Sequence, residues 1–225
     1  MTKLISTRRP AILVFETGVI FHGESIGKIG FTTGEIIFNT SMSGYQEILT
    51  DPSYAGQIIN FTYPHIGNVG TNLVDNESNK VWANGIIVRS FSDYHSNWRA
   101  EESLESFLIR HNIVGISEID TRALTRIIQS QGSIKGHIIS SSKLIDEYTN
   151  NPLSFSFNNK ENLVEKVSTK VSLSYSNSPN NSHHIVVYDF GVKNSILNAF
   201  ETLGCNITIV PFNTKVEEIL KLKPD

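Results

Sequence analysis

NTSMSGYQEILTDPSYAGQIINFTYPHIGNVGTN, residues 39–72, surrounds one strand-like run with Gly44, Gly56, Gly67 and Gly70, with Pro52 and Pro64, and with Tyr45, Tyr54, Phe61 and Tyr63. Glycine reaches backbone angles that other residues avoid and proline fixes φ, so the stretch reads as shaped loops held on a rigid support. Ser43 or Ser41 is expected to cap a short helix over Tyr45–Leu49, with Gln46 three residues after Ser43 as in a capping box. Asp51-Pro52 ends that helix, because the residue before a proline is driven out of the helical region. Asp51-Pro52-Ser53-Tyr54 is therefore a tight turn that presents the Ser53 hydroxyl. Gln57–Tyr63 has strand composition and stops at Pro64, and His65–Gly70 is a second glycine-punctuated loop.

Working outward, Ala11–Phe15 reads as a first strand, Val19–Gly23 as its hairpin partner across Gly18, and Gly34–Phe38 as a third strand running into the opening stretch. Gly85–Arg89 is a buried strand, and Leu104, Phe107 and Leu108 recur at helical spacing within Glu102–His111. The short strand Val114–Ile116 leads to Asp120, which is placed to cap a helix that stops before Gly132, and Gly136–Ser140 is a further strand. These elements make one mixed unit over residues 1–148. Residues 149–183 are dominated by Asn, Ser and Thr, include Pro152 and Pro179, and read as a linker with one docked segment near Leu163–Val167. From His184 a continuous apolar run suits a parallel strand buried on both faces. Gly191 makes the turn, Asn194 or Ser195 caps a helix closed by Gly204, Cys205–Val210 is the next strand and Val216–Leu222 a short helix. Residues 184–225 are thus a βαβα unit, expected to be incomplete because it lacks the strands that would cover both sheet faces.

A chain of 225 residues with 39% hydrophobic content can bury a real core. Its net charge of −3 gives no electrostatic footprint for nucleic acid or an anionic membrane. The single cysteine rules out an internal disulfide framework and fits a reducing compartment. The apolar run Ala11–Phe15 behind the basic start is too short for a signal-peptide core and ends at Glu16. No stretch approaches the ~20 apolar residues needed to cross a bilayer, so the expected location is the cytoplasm.

Individual residues narrow the chemistry. The seven histidines have no metal-ligand spacing with one another or with Cys205, so no metal site is expected. His183 and His184, where linker becomes strand, read as solvated. Cys205 enters a strand behind a helix, whereas a nucleophilic cysteine belongs on a strand-to-helix turn, so it is expected to be structural. The turn Asp189-Phe190-Gly191-Val192-Lys193-Asn194 has one glycine where a dinucleotide fingerprint has three, and Lys193 reads as a surface or docking charge. Arg122 and Arg126, four apart on one helical face, suit an anion or an acidic partner but read first as a solvated face.

Four segments taken in order, NTSMSGYQEILTDPSY, FTYPHIGNVGTN, RHNIVGISEIDTRALTR and VVYDFGVKNSIL, closely resemble the small, glutamine-hydrolysing subunit of carbamoyl phosphate synthetase. The resemblance covers most of residues 10–148 and resumes from about residue 184 to the end. It implies an α/β protein: an N-terminal mixed β/α domain of the swivelling type, then the first βαβα part of a class I glutamine amidotransferase domain with a doubly wound, flavodoxin-like sheet. It also implies a heterodimer with a large subunit that binds ATP and Mg, the small subunit needing no cofactor. In the family, glutamine gives up ammonia through a cysteine thioester assisted by a histidine and a glutamate. The large subunit then joins that ammonia to bicarbonate at the expense of ATP, making carbamoyl phosphate for arginine and pyrimidine biosynthesis. A base-activated thiol attacking the amide, with backbone N–H groups on the oxyanion, is the chemistry this requires.

Carried over residue by residue, the resemblance assigns Ser53 a hydrogen bond to bound L-glutamine. It assigns no catalytic residue, because the family's nucleophile elbow, histidine and glutamate fall past the equivalent of Asp225. The expectation is therefore a truncated small subunit unable to hydrolyse glutamine alone; ammonia release above that of a Cys205→Ser control would contradict it. The alternative is a non-catalytic docking module, or an eroded fragment, that only binds the large subunit. A free-standing nucleotide-binding protein would rest on the last forty residues alone.

Overall fold

A computed structural model describes residues 8–152, 155–157, 161–178 and 181–225. The first seven residues of the basic start, and Pro179 of the expected linker, lie outside them. The first unit runs β1 (Pro10–Phe15), β2 (Ile20–Gly27), β3 (Phe31–Asn39), α1 (Tyr45–Thr50), a single 3-10 turn (Pro52–Tyr54), β4 (Gln57–Phe61), β5 (His65–Ile66), β6 (Gly85–Ile87), β7 (Ser90–Phe91), α2 (Leu104–Arg110), β8 (Val114–Ser117), α3 (Thr121–Gln131), β9 (Ile134–Ile139) and α4 (Ser142–Asn150). The chain continues through α5 (Leu163–Val167), β10 (Leu173–Ser176), β11 (His183–Asp189), α6 (Asn194–Thr202), β12 (Cys205–Pro211) and α7 (Val216–Lys221).

Seven of these strands close into a barrel in the order β1-β2-β8-β6-β4-β3-β9. Period-2 alternation explains how it is filled. Ala11, Leu13 and Phe15 of β1 point to one side, together with Ile36, Ile58, Ile87, Val114, Ile116, Ile134 and Ile138 from the other strands, and these form one buried cluster inside the barrel. Leu124 and Ile128 of α3 join that cluster. The alternate residues Ile26, Ile59, Phe61, Ile86 and Val88 face outward and are covered by Tyr45 and Leu49 of α1 and by Leu104, Phe107 and Leu108 of α2. Ile12, Val14 and Ile139 form a third surface, packed against Leu144, Ile145 and Tyr148 of α4 and against Phe155. At that surface the His137 ring is fully buried and stacks 3.8 Å from Phe157, so part of the expected linker lies against the barrel wall.

Strand direction sets one rim of the barrel apart from the other. β3 pairs with β4, β4 with β6 and β6 with β8, all in parallel, so the carboxyl ends of four strands gather on one rim. The closing pairs β1–β2, β2–β8, β1–β9 and β3–β9 are antiparallel.

The second sheet has the order β10-β12-β11. β11 and β12 are parallel and linked by α6, which is the βαβ unit expected from the sequence. Leu197 of α6 packs on Ile207 and Ile209, with Ile185 and Val187 beside them. The span 149–183, expected to be a linker, supplies both α5 and β10, and β10 pairs antiparallel with β12. The apolar run of β11 was expected to be buried on both faces, but Ile185–Tyr188 are only half-buried because β11 lies at the edge of this three-stranded sheet. Past α7 the chain returns to that edge: the Asp225 N–H donates to the His184 carbonyl at 3.0 Å, and the Asp225 carboxylate accepts from the His184 N–H at 2.8 Å.

Two helix starts depart from expectation. Helix α1 is capped by Gly44 at φ 80 with no side-chain hydrogen bond, so neither Ser43 nor Ser41 serves as its cap. Left-handed backbone at residue 44 turns the chain directly into the helix, and Gln46 is used elsewhere. At α6 the capping position falls on Lys193 rather than Asn194 or Ser195, again with no cap from its own side chain. The carboxylate of Glu77, 118 positions before the Ser195 N–H that it accepts, takes over.

Candidate functional site

Asp51 is held extended at φ −75, ψ 121 ahead of Pro52, as the proline demands. Its Oδ1 accepts the Ser53 N–H at 2.8 Å, and the Tyr54 N–H closes on the Asp51 carbonyl at 3.1 Å. The Tyr54 hydroxyl accepts a hydrogen bond from Asn39 Nδ2 at 3.0 Å, tying the turn to the end of β3. The turn is thus fixed at both ends, while the Ser53 side chain is exposed and its hydroxyl makes no hydrogen bond among the described residues.

The same turn meets the C-terminal sheet. Lys193 Nζ stands 3.7 Å from Asp51 Oδ2, so Lys193 is a docking charge between the two parts of the chain. Gly191 has φ +96, and a Cβ there would fall 2.8 Å from Pro52 Cβ and 3.1 Å from Val167 Cγ2, so glycine is required by both angle and space. Asp189 shapes this turn: its Oδ1 accepts the N–H groups of Gly191 and Val192 at 2.9 and 3.0 Å, and its Oδ2 accepts from the Thr169 N–H at 2.6 Å. The Asp189 carboxylate is occupied by backbone N–H groups and serves to shape the turn Asp189–Asn194.

A second clamp lies one helix further on. Glu77 accepts the Asn194 N–H on its carbonyl at 2.8 Å and the Ser195 N–H on its carboxylate Oε2 at 3.0 Å, while Asn194 Nδ2 donates to the Asn76 carbonyl at 3.2 Å. A carboxylate at a helix start satisfies free N–H groups and complements the positive end of the helix. The loop that carries Glu77 is held by α1. Gln46 Oε1 accepts the Asn72 N–H at 3.0 Å, Gln46 Nε2 donates to Asn76 Oδ1 at 2.7 Å, and the Thr50 hydroxyl accepts the Glu77 N–H at 2.9 Å. Tyr45 anchors the neighbouring loop through a 2.6 Å bond from its hydroxyl to the Gly70 carbonyl, and burial pushes its pKa up. Residues 39–72 therefore support the junction with the C-terminal sheet as well as the Ser53 turn. Nothing in the sequence around Glu77 signals its role.

A cleft of about 730 Å³ opens at this junction between loop 73–82, the segment around α5 and the sheet. Pro52, Lys80, Trp82, Lys166, Asp189 and Gly191 are among its walls; Ser53 is not. The Lys80 ammonium lies 3.7 Å over the Trp82 ring, and burial, followed by the charge of Lys166, lowers its pKa. The other sequence candidates are dispersed. Cys205 is 6% exposed, packed with Leu197, Ile207 and Ile209, while His183, opposite it in register, is exposed. His184 is not simply solvated, since its Nε2 lies 2.9 Å from the Thr208 hydroxyl. Among the described residues no group of His, Cys, Asp and Glu is placed to hold a metal, and no helix is long and apolar enough to cross a membrane. Arg122 and Arg126 are exposed, as expected, but they line a separate cleft with Arg89, which the sequence did not single out.

The profile of the carbamoyl-phosphate synthase small chain, CPSase domain, matches residues 13–138, more than half of the chain and nearly all of the barrel. The chain belongs to the carbamoyl-phosphate synthase small-chain family. Over 96% of its length it is 44% identical to the carbamoyl phosphate synthase small chain of Acinetobacter baylyi, 46% to that of Pasteurella multocida and 47% to that of Buchnera aphidicola. It spans 61%, 59% and 58% of those small chains respectively. The family match falls on the part of the chain that holds Ser53, α1 and the Glu77 loop.

Proposed function

We propose that the chain acts within a glutamine-dependent carbamoyl phosphate synthetase, paired with a large chain that uses ATP, Mg and bicarbonate. In this reading residues 1–148 are the swivelling-type domain and residues 184–225 begin the class I amidotransferase domain. Ser53 donates or accepts a hydrogen bond to the substrate glutamine from the first domain. The observation that carries the assignment to Ser53 is its free hydroxyl on a turn fixed by Asp51 and Tyr54, beside the contact of Pro52 with Gly191. A polar group so placed loses little entropy on binding, which is the advantage of preorganisation.

The test supplies the chain and its large chain with glutamine labelled in the amide nitrogen, or with ammonium, and follows label into carbamoyl phosphate. Ser53→Ala is expected to raise the dissociation constant for glutamine, measured by calorimetry on the two-chain complex, about tenfold, the loss of one hydrogen bond of about 1.4 kcal/mol, and to leave the ammonium-supported rate unchanged. An unchanged dissociation constant would remove Ser53 from the site. A second reading, docking to the large chain without glutamine hydrolysis, follows from the family resemblance, which assigns no catalytic residue within residues 1–225. It is supported if the two chains co-purify and only ammonium is used.

A further inference from the structure

Four parallel strands deliver their carboxyl ends to one rim of the barrel, and the residues just past those ends line a single cleft of about 680 Å³. Thr40 follows β3, Thr62 and Pro64 follow β4, Arg89 follows β6, and Asp120 follows β8; Arg122, Thr125, Arg126 and Gln129 of α3 make the facing wall. The crevice outside the carboxyl ends of parallel strands is where α/β proteins place ligands, and the volume lies in the usual range for small-molecule sites.

The chemistry of the lining is specific. Arg89, Arg122 and Arg126 make no ion pair and no side-chain hydrogen bond among the described residues, as is true of Arg9 outside the cleft, whereas Arg8, Arg99 and Arg110 are paired with carboxylates. The one acidic group in the cleft, Asp120, is committed to the helix, with Oδ1 accepting the Ala123 N–H at 3.0 Å. The first-turn N–H of Thr121 is spent on the Ile119 carbonyl and that of Leu124 on the Asp120 carbonyl, so the helix N-terminus offers little and the guanidinium groups must do the binding. Below the floor, fully buried Asn60 donates to the Thr125 hydroxyl at 3.0 Å while its Oδ1 has no partner among the described residues. Three guanidinium groups and one carboxylate leave a formal charge of +2 on a protein whose net charge is −3. A phosphate monoester carries about −1.5 to −2 at neutral pH, and planar guanidinium forks match its oxygens in pairs.

We propose that the cleft ringed by Arg89, Arg122 and Arg126 is a binding site for a phosphate-bearing small molecule, the phosphate held by the three guanidinium groups with the Thr40 and Thr62 hydroxyls beside it. The site belongs to the barrel rim, apart from the Ser53 junction, and does not depend on the glutamine reading.

The test is calorimetric titration of the whole chain with inorganic phosphate and with pyrophosphate at low ionic strength. Both are expected to bind, with a dissociation constant at least about tenfold higher in Arg122→Gln/Arg126→Gln and unchanged in the charge-matched Lys143→Gln/Lys221→Gln control. All four residues are exposed, and circular dichroism is the check that the variants fold before titration. Absence of binding at millimolar concentrations would overturn the proposal, as would an equal loss in both variants. Malate binding more tightly than phosphate would also overturn it, and so would arginine variants that affect only capture of the large chain.

Discussion

Replacing Glu77 with alanine should release α6 from the barrel without unfolding the barrel. Its carboxylate accepts the Ser195 N–H at 3.0 Å, and Lys193 at the capping position contributes no side-chain capping hydrogen bond. Loss of a capping group costs about 0.5–2 kcal/mol, and loss of a negative charge at a helix start about 0.3–1 kcal/mol. The alanine variant retains the bonds made by the Glu77 backbone, the 2.8 Å acceptance from Asn194 and the 2.9 Å donation to Thr50, so the lower middle of that range applies, about 1 kcal/mol. Such a change raises the local opening equilibrium about fivefold. Amide hydrogen exchange resolves it, because local opening and global unfolding have different free energies. Protection should fall about fivefold in α6 and at Gly191–Lys193, with barrel amides such as Ile58 and Ile138 unchanged, and Glu77→Gln should give roughly half the free-energy effect. Equal loss of protection across barrel and helix would show that Glu77 supports global stability, and no change in α6 would show that the carboxylate contributes nothing there. Either result refutes the clamp.

His137 should make stability depend on acid. Burial lowers its pKa to about 4, the nearby Phe155 backbone only partly opposing this, whereas unfolded histidine titrates near 6.5. The unfolded chain takes up the proton first, so this contribution is complete above about pH 6.5, erodes toward pH 4 and totals about 3 kcal/mol; urea midpoints measured against pH should flatten over that window in His137→Leu. Gly191→Ala should cost about 1–3 kcal/mol for the left-handed angle, with more for the 2.8 Å approach to Pro52, and should show in urea unfolding together with faster proteolysis near residues 190–195. Cys205→Ser should lose about 1–3 kcal/mol by placing a hydroxyl in an apolar cluster, and Cys205 in the parent protein should react with iodoacetamide only as fast as the C-terminal sheet opens.

Where the sequence was legible, local physics decides the outcome. The continuous apolar run Ala11–Phe15 became a strand because one face fills the barrel and the other is covered by α4, and Asp120 caps α3 because its carboxylate reaches the Ala123 N–H within the same turn. Asp51 and Pro52 likewise shape the Ser53 turn from within four residues, so the exposed hydroxyl could be anticipated. Barrel closure could not, since it depends on β1 meeting β9 and β2 meeting β8, pairings that span most of the first unit and leave no local trace. The same holds for the missed caps. A serine near α1 looked sufficient, but Gly44 at φ 80 makes the turn on its own and frees Gln46 to hold residues 72–76. That exchange decides the junction. With Gln46 and Thr50 both directed at the loop carrying Glu77, α1 positions the residue that caps α6, and one short helix ties the Ser53 turn and the C-terminal sheet to the same support.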